Sequence, residues 1–331
     1  MVTTTQKSKT RLLAGSVSCG IAAALIAVTS CERPIFDTLD GYDPDANVFL
    51  TFTPYGQEDF TRAAFSAAPA FSAGNGSAIA TTPAVATTRT ATHLADNLSR
   101  LSVAIFNAEG NKVKSINQKA GDDSFGTIGV SLEQGIYQVV AIAHNSTEGN
   151  ATITSTEKVT FANNKMTDTF CYCGELTIGD SPIDKVLQMQ RVVAMVRLKI
   201  TGTIPKSIAR FKFYYTGGSS TINPSTGYGC VNSKQTEYRD CFSAGDGSAV
   251  ATYELFTAPH EMNDILKLVI TAQDANNTAV NEWTMEDIPV TRNKITTWSG
   301  NLFGGAESTT NEGRLSLTID AAWDGTQSYT W

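Results

Sequence analysis

The chain has 331 residues, more than one ordinary β-sandwich needs and about right for two domains. Its 25 Lys and Arg residues against 32 Asp and Glu residues give a formal net charge of −7, which argues against a nucleic-acid-binding surface because such a surface needs an excess of cations. Only 17% of the residues are charged, and three His residues leave little material for metal-dependent or His-dependent catalysis. This composition favours an extracellular β-protein.

The first 30 residues have the features of a secretory signal peptide. Three basic residues precede the uncharged stretch 12–30, whose Gly and Ser residues make it less apolar than a membrane-spanning helix. The stretch ends in Val-Thr-Ser-Cys at 28–31, which resembles a bacterial lipobox. We therefore expect cleavage before Cys31 and acylation of Cys31, for example with palmitate, as a membrane anchor. An ordinary signal peptide with an incidental Cys31 is the alternative.

Residues 31–46 are acidic and contain two Pro residues, and we expect them to form an exposed tether. Alternation of apolar and polar residues begins directly afterwards. In residues 47–53 it predicts a strand with Val48, Leu50 and Phe52 on one face.

The following segment, 63–92, consists mainly of Ala, Thr, Ser and Gly and is typical of a flexible loop. Strand patterns then continue to the end of the chain, without a long helical period. They occur at 100–106, 136–143, 191–201, 208–215, 250–257, 264–271, 294–303 and 313–323. The sequence predicts an all-β protein with two β-sandwich domains, 47–184 and 185–331, divided at the Gly-Asp-Ser-Pro-Ile-Asp sequence 179–184.

Four cysteines belong to the predicted domains. Cys171 and Cys173 are two residues apart and would face the same side of a strand, and their state is left open. Cys230 and Cys241 lie in one loop-rich segment and are candidates for a disulfide in an oxidising compartment. The spacing of the four does not match a zinc ribbon, so no metal and no cofactor are expected.

Several segments together resemble the fimbrillins of type V pili, a family from anaerobic Gram-negative bacteria. The resemblance rests on the lipobox and on the segments RLSVAIFNAEGNKVKS (100–115), GIYQVVAIAHN (135–145), MQRVVAMVRLKIT (189–201), IPVTRNKITTWSGNLF (288–303) and AAWDGTQSYTW (321–331). It implies two tandem transthyretin-like sandwiches and a structural subunit of a fimbria that supports adhesion at the outer membrane.

The resemblance also implies assembly by strand exchange. A protease would cut after an Arg and remove the first strand, with Val48, Leu50 and Phe52. A neighbouring subunit of the same or another kind would then fill the vacant groove with its C-terminal segment. In this chain the donor segment would be 314–331, and its inward residues would be Leu315, Leu317, Ile319, Trp323, Tyr329 and Trp331. The alternative for this segment is an ordinary closing strand of its own sandwich.

Two arginines are candidates for the cut. Arg62 lies soon after the first strand, and Arg89 lies at a more usual distance before the next one. Both flank the flexible segment, as a protease substrate requires. The alternative is an anchor or tip subunit that is never cut.

A non-polymerising lipoprotein that binds a glycan or a host receptor is the rival interpretation. Trp283, Trp298, Tyr214, Tyr215 and Tyr228 would then stack on sugars, whereas core packing is the other role open to them. An enzyme is not expected, because the chain contains no P-loop, no His-Glu-x-x-His motif and no Gly-x-Ser-x-Gly motif. The expected partners are therefore other subunits, a processing protease, membrane lipid at Cys31 and a host or glycan receptor.

Overall fold

The computed structural model describes residues 43–54, 94 and 98–304, together with the backbone of 315–320 and 327–328. This part of the chain is nearly all β, as the alternation predicts, and it includes a 3₁₀ turn at Ala162–Asn164. The strands in the first half are β1 Val48–Pro54, β2 Arg100–Phe106, β3 Lys112–Lys119, β4 Thr127–Val130, β5 Gly135–His144, β6 Thr152–Ser155, β7 Lys158–Thr160, β8 Thr169–Ile178 and β9 Ile183–Arg191. Those in the second half are β10 Ala194–Ile200, β11 Arg210–Thr216, β12 Thr221–Asn223, β13 Tyr228–Gly229, β14 Gln235–Asp240, β15 Thr252–Thr257, β16 Asp264–Gln273, β17 Ala279–Val290, β18 Ile295–Gly300, β19 Leu315–Asp320 and β20 Gln327–Ser328.

The N-terminal half is built on a seven-stranded sheet in the order β3-β2-β5-β8-β9-β1-β4. β8 and β9 are paired only at Phe170↔Arg191 and Cys171↔Gln190, so the sheet opens between them. Alternate apolar residues of β2 and β5 pack with those of β1, β4 and β9 in one buried core. This core, called the N-terminal core below, sits between the two parts of the sheet.

The C-terminal half contains a five-stranded sheet, β15-β10-β18-β19-β20, and a four-stranded sheet, β14-β11-β16-β17. Alternation along β10, β11 and β16 directs one face of each strand into a second core, which includes Phe211, Phe213 and Tyr215. All three of these aromatic side chains are almost fully buried.

A third element of the fold joins the two halves. β12 pairs with β7 at Thr221↔Thr160 and Ile222↔Val159, which completes a four-stranded sheet in the order β13-β12-β7-β6. A third buried cluster beneath it combines Val159 and Phe161 with Ile222 and Ala258. The described residues accordingly fall in one compact unit, Thr38–Trp331.

Two features differ from the sequence-based expectation. β9 pairs with β1, so the N-terminal sheet continues to Arg191, beyond the boundary placed at 184/185; a division into two domains stays a prediction. The expected disulfide is absent, because Cys230 and Cys241 are both free thiols. Cys241 is buried in the C-terminal core, whereas Cys230 is exposed beside β12, so the two thiols lie in different parts of the fold.

Candidate functional site

The first strand lies inside the N-terminal sheet rather than at its edge. β1 runs parallel to β9, with Val48 opposite Ile183 and Pro54 opposite Met189. On its other side it pairs antiparallel with β4. The strand therefore satisfies backbone groups of two neighbours at once, and both would lose partners without it.

The side chains of β1 contribute to the N-terminal core as their spacing predicts. Val48 and Leu50 are 0% exposed and Phe52 is 1% exposed, and all three belong to the core cluster. Thr51 and Thr53 on the opposite face are only half-buried. The alternation identified this face correctly, whereas displacement of the strand stays a prediction.

Polar side chains fix the start of β1. The Asn47 amide donates from Nδ2 to the carbonyl of Leu132 at 2.8 Å, and the Leu132 N–H donates to Asn47 Oδ1 at 2.9 Å. Asp43 accepts a hydrogen bond from the Ser131 N–H at 3.3 Å and lies 3.8 Å from the Lys114 ammonium. Sequence reasoning missed this clamp, because its partners lie more than 70 residues away in the chain.

The C-terminal segment pairs with the sheet of its own half. β19 is antiparallel to β18, from Gly300↔Leu315 to Ile295↔Asp320, and β20 pairs with β19. The backbone of Leu315, Leu317 and Ile319 thus forms a strand, and the structure describes no side chains there. The other predicted donor residues, Trp323, Tyr329 and Trp331, and also Cys31, Arg62 and Arg89, lie outside the described residues.

Three of the aromatic residues considered for sugar stacking, Tyr215, Trp283 and Trp298, pack in or against the C-terminal core. Tyr215 is 1% exposed, and its hydroxyl donates to Glu237 Oε1 at 2.7 Å. Trp283 and Trp298 are partly buried against the C-terminal core. The Arg292 guanidinium covers the Tyr228 ring, with its carbon 4.6 Å from the ring centroid.

The described residues offer little catalytic chemistry. His260 Nδ1 lies 2.8 Å from Asp264 Oδ2, but its Nε2 faces the carbonyl of Val231 at 3.2 Å rather than a nucleophile. His144 is buried away from solvent. Burial raises the pKa of both Cys171 and Cys173, which keeps these thiols protonated at neutral pH.

The described part of the chain contains neither a metal-binding cluster nor a membrane-spanning helix. No group of three or more His, Cys, Asp or Glu side chains is arranged to hold a metal ion there. Among the same residues, no helix has the length and apolarity needed to cross a bilayer.

Comparison with known proteins places the chain in a family. The model of a family of unknown function, DUF6562, matches residues 75–330. The chain belongs to this family. DUF6562 carries no assigned function, so the resemblance to fimbrillins stays a prediction. No curated protein matches the sequence.

Solved structures with a similar chain course come from Bacteroides and Porphyromonas. A candidate adhesin from Bacteroides thetaiotaomicron has 14% identity and a TM-score of 0.48, with 86% of this chain and 99% of that chain covered. A candidate polysaccharide-binding protein from the same organism has 11% identity and a TM-score of 0.48, covering 86% and 98%. The fimbrial anchor protein Mfa2 from Porphyromonas gingivalis has 10% identity and a TM-score of 0.39, covering 85% and 99%.

Proposed function

We propose that this DUF6562 protein is a fimbria-related adhesion subunit of the cell surface. It would be exported as a lipoprotein with its lipid attached to Cys31, and it would be assembled by strand exchange. In this scheme proteolysis after Arg62 or Arg89 releases β1, and a neighbouring subunit fills the groove. The observation that carries the proposal is the position of β1, an internal strand with a fully buried face.

The order of the chain makes β1 separable. Residues 55–99 lie between β1 and the next strand in the sequence, and both candidate arginines fall within this interval. A cut at either position would leave β1 attached to its sheet by non-covalent contacts alone. Those contacts are the two backbone ladders, the three apolar side chains and the Asn47 clamp.

The energetics favour replacement of the strand over simple loss. Burial of Val48, Leu50 and Phe52 stabilises the sheet by roughly 1.5–3 kcal/mol for each side chain. Loss of β1 would expose this apolar surface and leave backbone groups on β4 and β9 unpaired. Another strand with the same alternation would restore both terms, which is the physical basis of β-strand addition.

The chain carries a segment with the required alternation. Leu315, Leu317 and Ile319 have the same spacing as Val48, Leu50 and Phe52. In the present conformation this segment is paired with β18, so donation requires its release from that sheet. Release of β19 breaks mainly its backbone ladder with β18, because β20 pairs with β19 at only two positions.

The experiment has a chemical and an assembly part. Surface polymers are isolated, and their N-terminal residue is identified by mass spectrometry. We expect a start at Ala63 or Thr90 and SDS-resistant ladders that disappear when residues 314–331 are deleted. A polymer that starts at Cys31, or ladders that survive the deletion, would contradict the strand-exchange scheme.

A peptide-binding assay isolates the groove. The purified protein is cut with an Arg-specific protease and mixed with a labelled peptide of residues 314–331. Leu50→Asp should promote release of β1 and peptide uptake after cleavage, whereas Thr53→Asp on the outer face is the matched control and should behave like the wild type. Equal uptake of the labelled peptide by cut and uncut protein would contradict the strand-exchange proposal.

One observation favours a second candidate, an uncut anchor or a non-polymerising binding lipoprotein. β19 is already paired with β18 in the sheet of its own half, as expected for a chain that keeps its C-terminal strand. Such a protein would retain β1 on the cell surface and form no ladders, so the same polymer analysis distinguishes the two candidates.

A further inference from the structure

A cleft opens where β8 and β9 separate. Beyond the pair Cys171↔Gln190 the two strands are no longer joined, although β9 stays paired with β1 on its other edge. The opening is flanked by Cys173 on β8 and by the exposed side chains of Gln188 and Gln190 on β9. Its volume is about 260 Å³, just below the lower end of the range usual for small-molecule sites, roughly 300–1,000 Å³.

The opposite wall comes from the C-terminal half. The turn after β12, at residues 224–227, and Arg292 face the two strands. The turn is fixed by Ser225, whose hydroxyl donates to the carbonyl of Thr156 at 2.7 Å. The Ser225 oxygen also lies 3.8 Å from the sulfur of Cys173. The cleft therefore has walls from both halves of the chain and a preformed shape.

Arg292 is the sole charged residue that lines this cleft among the described residues. Its guanidinium is held over the Tyr228 ring and donates from Nη1 to the carbonyl of Thr226 at 3.2 Å. One carbonyl leaves most of its five N–H donors for other acceptors. No carboxylate lines the cleft to neutralise the cation, and the raised pKa values of Cys171 and Cys173 keep these thiols neutral.

The remaining lining groups are neutral and hydrogen-bonding. Gln188 and Gln190 each offer an amide donor and an acceptor, and Ser225 and Thr226 offer hydroxyls. Tyr172 adds an aromatic side chain. A fixed cation surrounded by amides and hydroxyls complements a ligand that has one anionic group and several hydroxyl groups.

We propose that this cleft binds one anionic sugar unit, with its carboxylate or sulfate on Arg292 and its hydroxyls on Gln188, Gln190 and Ser225. The cleft is too small for an extended peptide, and a single cation is too little charge for a polyphosphate. The proposal goes beyond the assembly role, since it involves neither the release of β1 nor residues 314–331.

Ligand-observed NMR with the full-length protein in detergent tests the proposal. The probes are D-glucuronate, glucosamine 6-sulfate and D-glucose, each titrated to about 10 mM, which is sufficient for a millimolar Kd. We expect saturable binding of at least one anionic sugar and none of D-glucose. The two anionic probes then distinguish a carboxylate from a sulfate as the preferred group, and either result supports the site.

Matched variants locate the binding. Arg292→Gln should weaken binding at least about tenfold, since it removes a charge-assisted hydrogen bond. Arg210→Gln is the control, because Arg210 is also half-buried over a tyrosine, with its guanidinium carbon 4.5 Å from the Tyr238 ring, but lies outside the cleft. Gln188→Ala, at an exposed side chain, should weaken binding about threefold without a folding defect.

Three results would overturn the proposal. They are equal binding of D-glucose and the anionic sugars, unchanged affinity in Arg292→Gln, and no saturable binding of any probe. Deletion of residues 314–331 should leave sugar binding intact. Failure of the sugar site and failure of strand exchange are therefore distinguishable.

Discussion

The buried His144 makes the stability of the fold dependent on pH. It ends β5, where it pairs with Arg100 of β2 and Thr169 of β8, and it is 1% exposed. Neither ring nitrogen has a hydrogen-bond partner among the described residues, and the ring packs edge-on against Phe161. Burial, aided by the positive charge of Arg100, lowers the pKa of His144 from 6.5 to about 4.

The direction and size of the effect follow from proton linkage. At neutral pH the imidazole is mostly uncharged in both states, so it contributes little to the pH dependence of folding there. As the pH falls below 6.5, the unfolded chain binds a proton that the folded protein resists until about pH 4. The free energy of unfolding therefore falls over this window by about 3 kcal/mol, at roughly 1.4 kcal/mol per pH unit.

Urea unfolding of the wild type and of His144→Leu measures this term. The carboxylates titrate in both proteins, so the difference between the two free energies of unfolding isolates the histidine. We expect this difference to move by about 3 kcal/mol in favour of the variant between neutral pH and about pH 4. Parallel pH profiles for the two proteins would refute the assignment of a depressed pKa to His144.

Three further predictions concern the first strand and the thiols. Leu50→Ala should lower the free energy of unfolding by about 2–5 kcal/mol in urea titrations, whereas Thr53→Ala should change it by less than about 0.5 kcal/mol; equal effects would contradict the inward orientation of Leu50. Asn47→Ala should cost about 1–3 kcal/mol in the same assay, because it removes both hydrogen bonds to Leu132, and a neutral result would argue against the clamp. Alkylation without a reductant should modify Cys230 in the folded protein and Cys241 only after denaturation, as mass spectrometry would show; a protected pair in denaturant would indicate the disulfide that the structure lacks.

The alternation of apolar and polar residues predicted many of the individual strands, but it did not predict which strands pair with each other. The face of β1 followed from a period of two, since an internal strand must bury one side of its pleat. The parallel pairing of β1 with β9 joins residues more than 130 positions apart, and nothing in either segment encodes the other. The hydrogen bonds between Asn47 and Leu132 could not be predicted from the sequence for the same reason.

The apparent single strand at 191–201 shows a second limit of periodicity. The structure ends β9 at Arg191 and begins β10 at Ala194, and the two strands belong to different sheets. Val192 and Val193 lie between the two strands and are buried in the cluster beneath the sheet β13-β12-β7-β6. The apolar pattern therefore continues through the break. The cleft beside Arg292 escaped prediction too, because β8, β9 and a turn of the other half supply its walls.

The sheet formed by β6, β7, β12 and β13 has a mechanical consequence. Under tension, a flexible hinge between the two halves of a protein would yield first. Here any force that pulls the halves apart must break the ladder between β7 and β12 and expose the apolar cluster that contains Val159 and Ile222. A pulling force is thereby transmitted through both halves of the chain instead of being absorbed at a hinge between them.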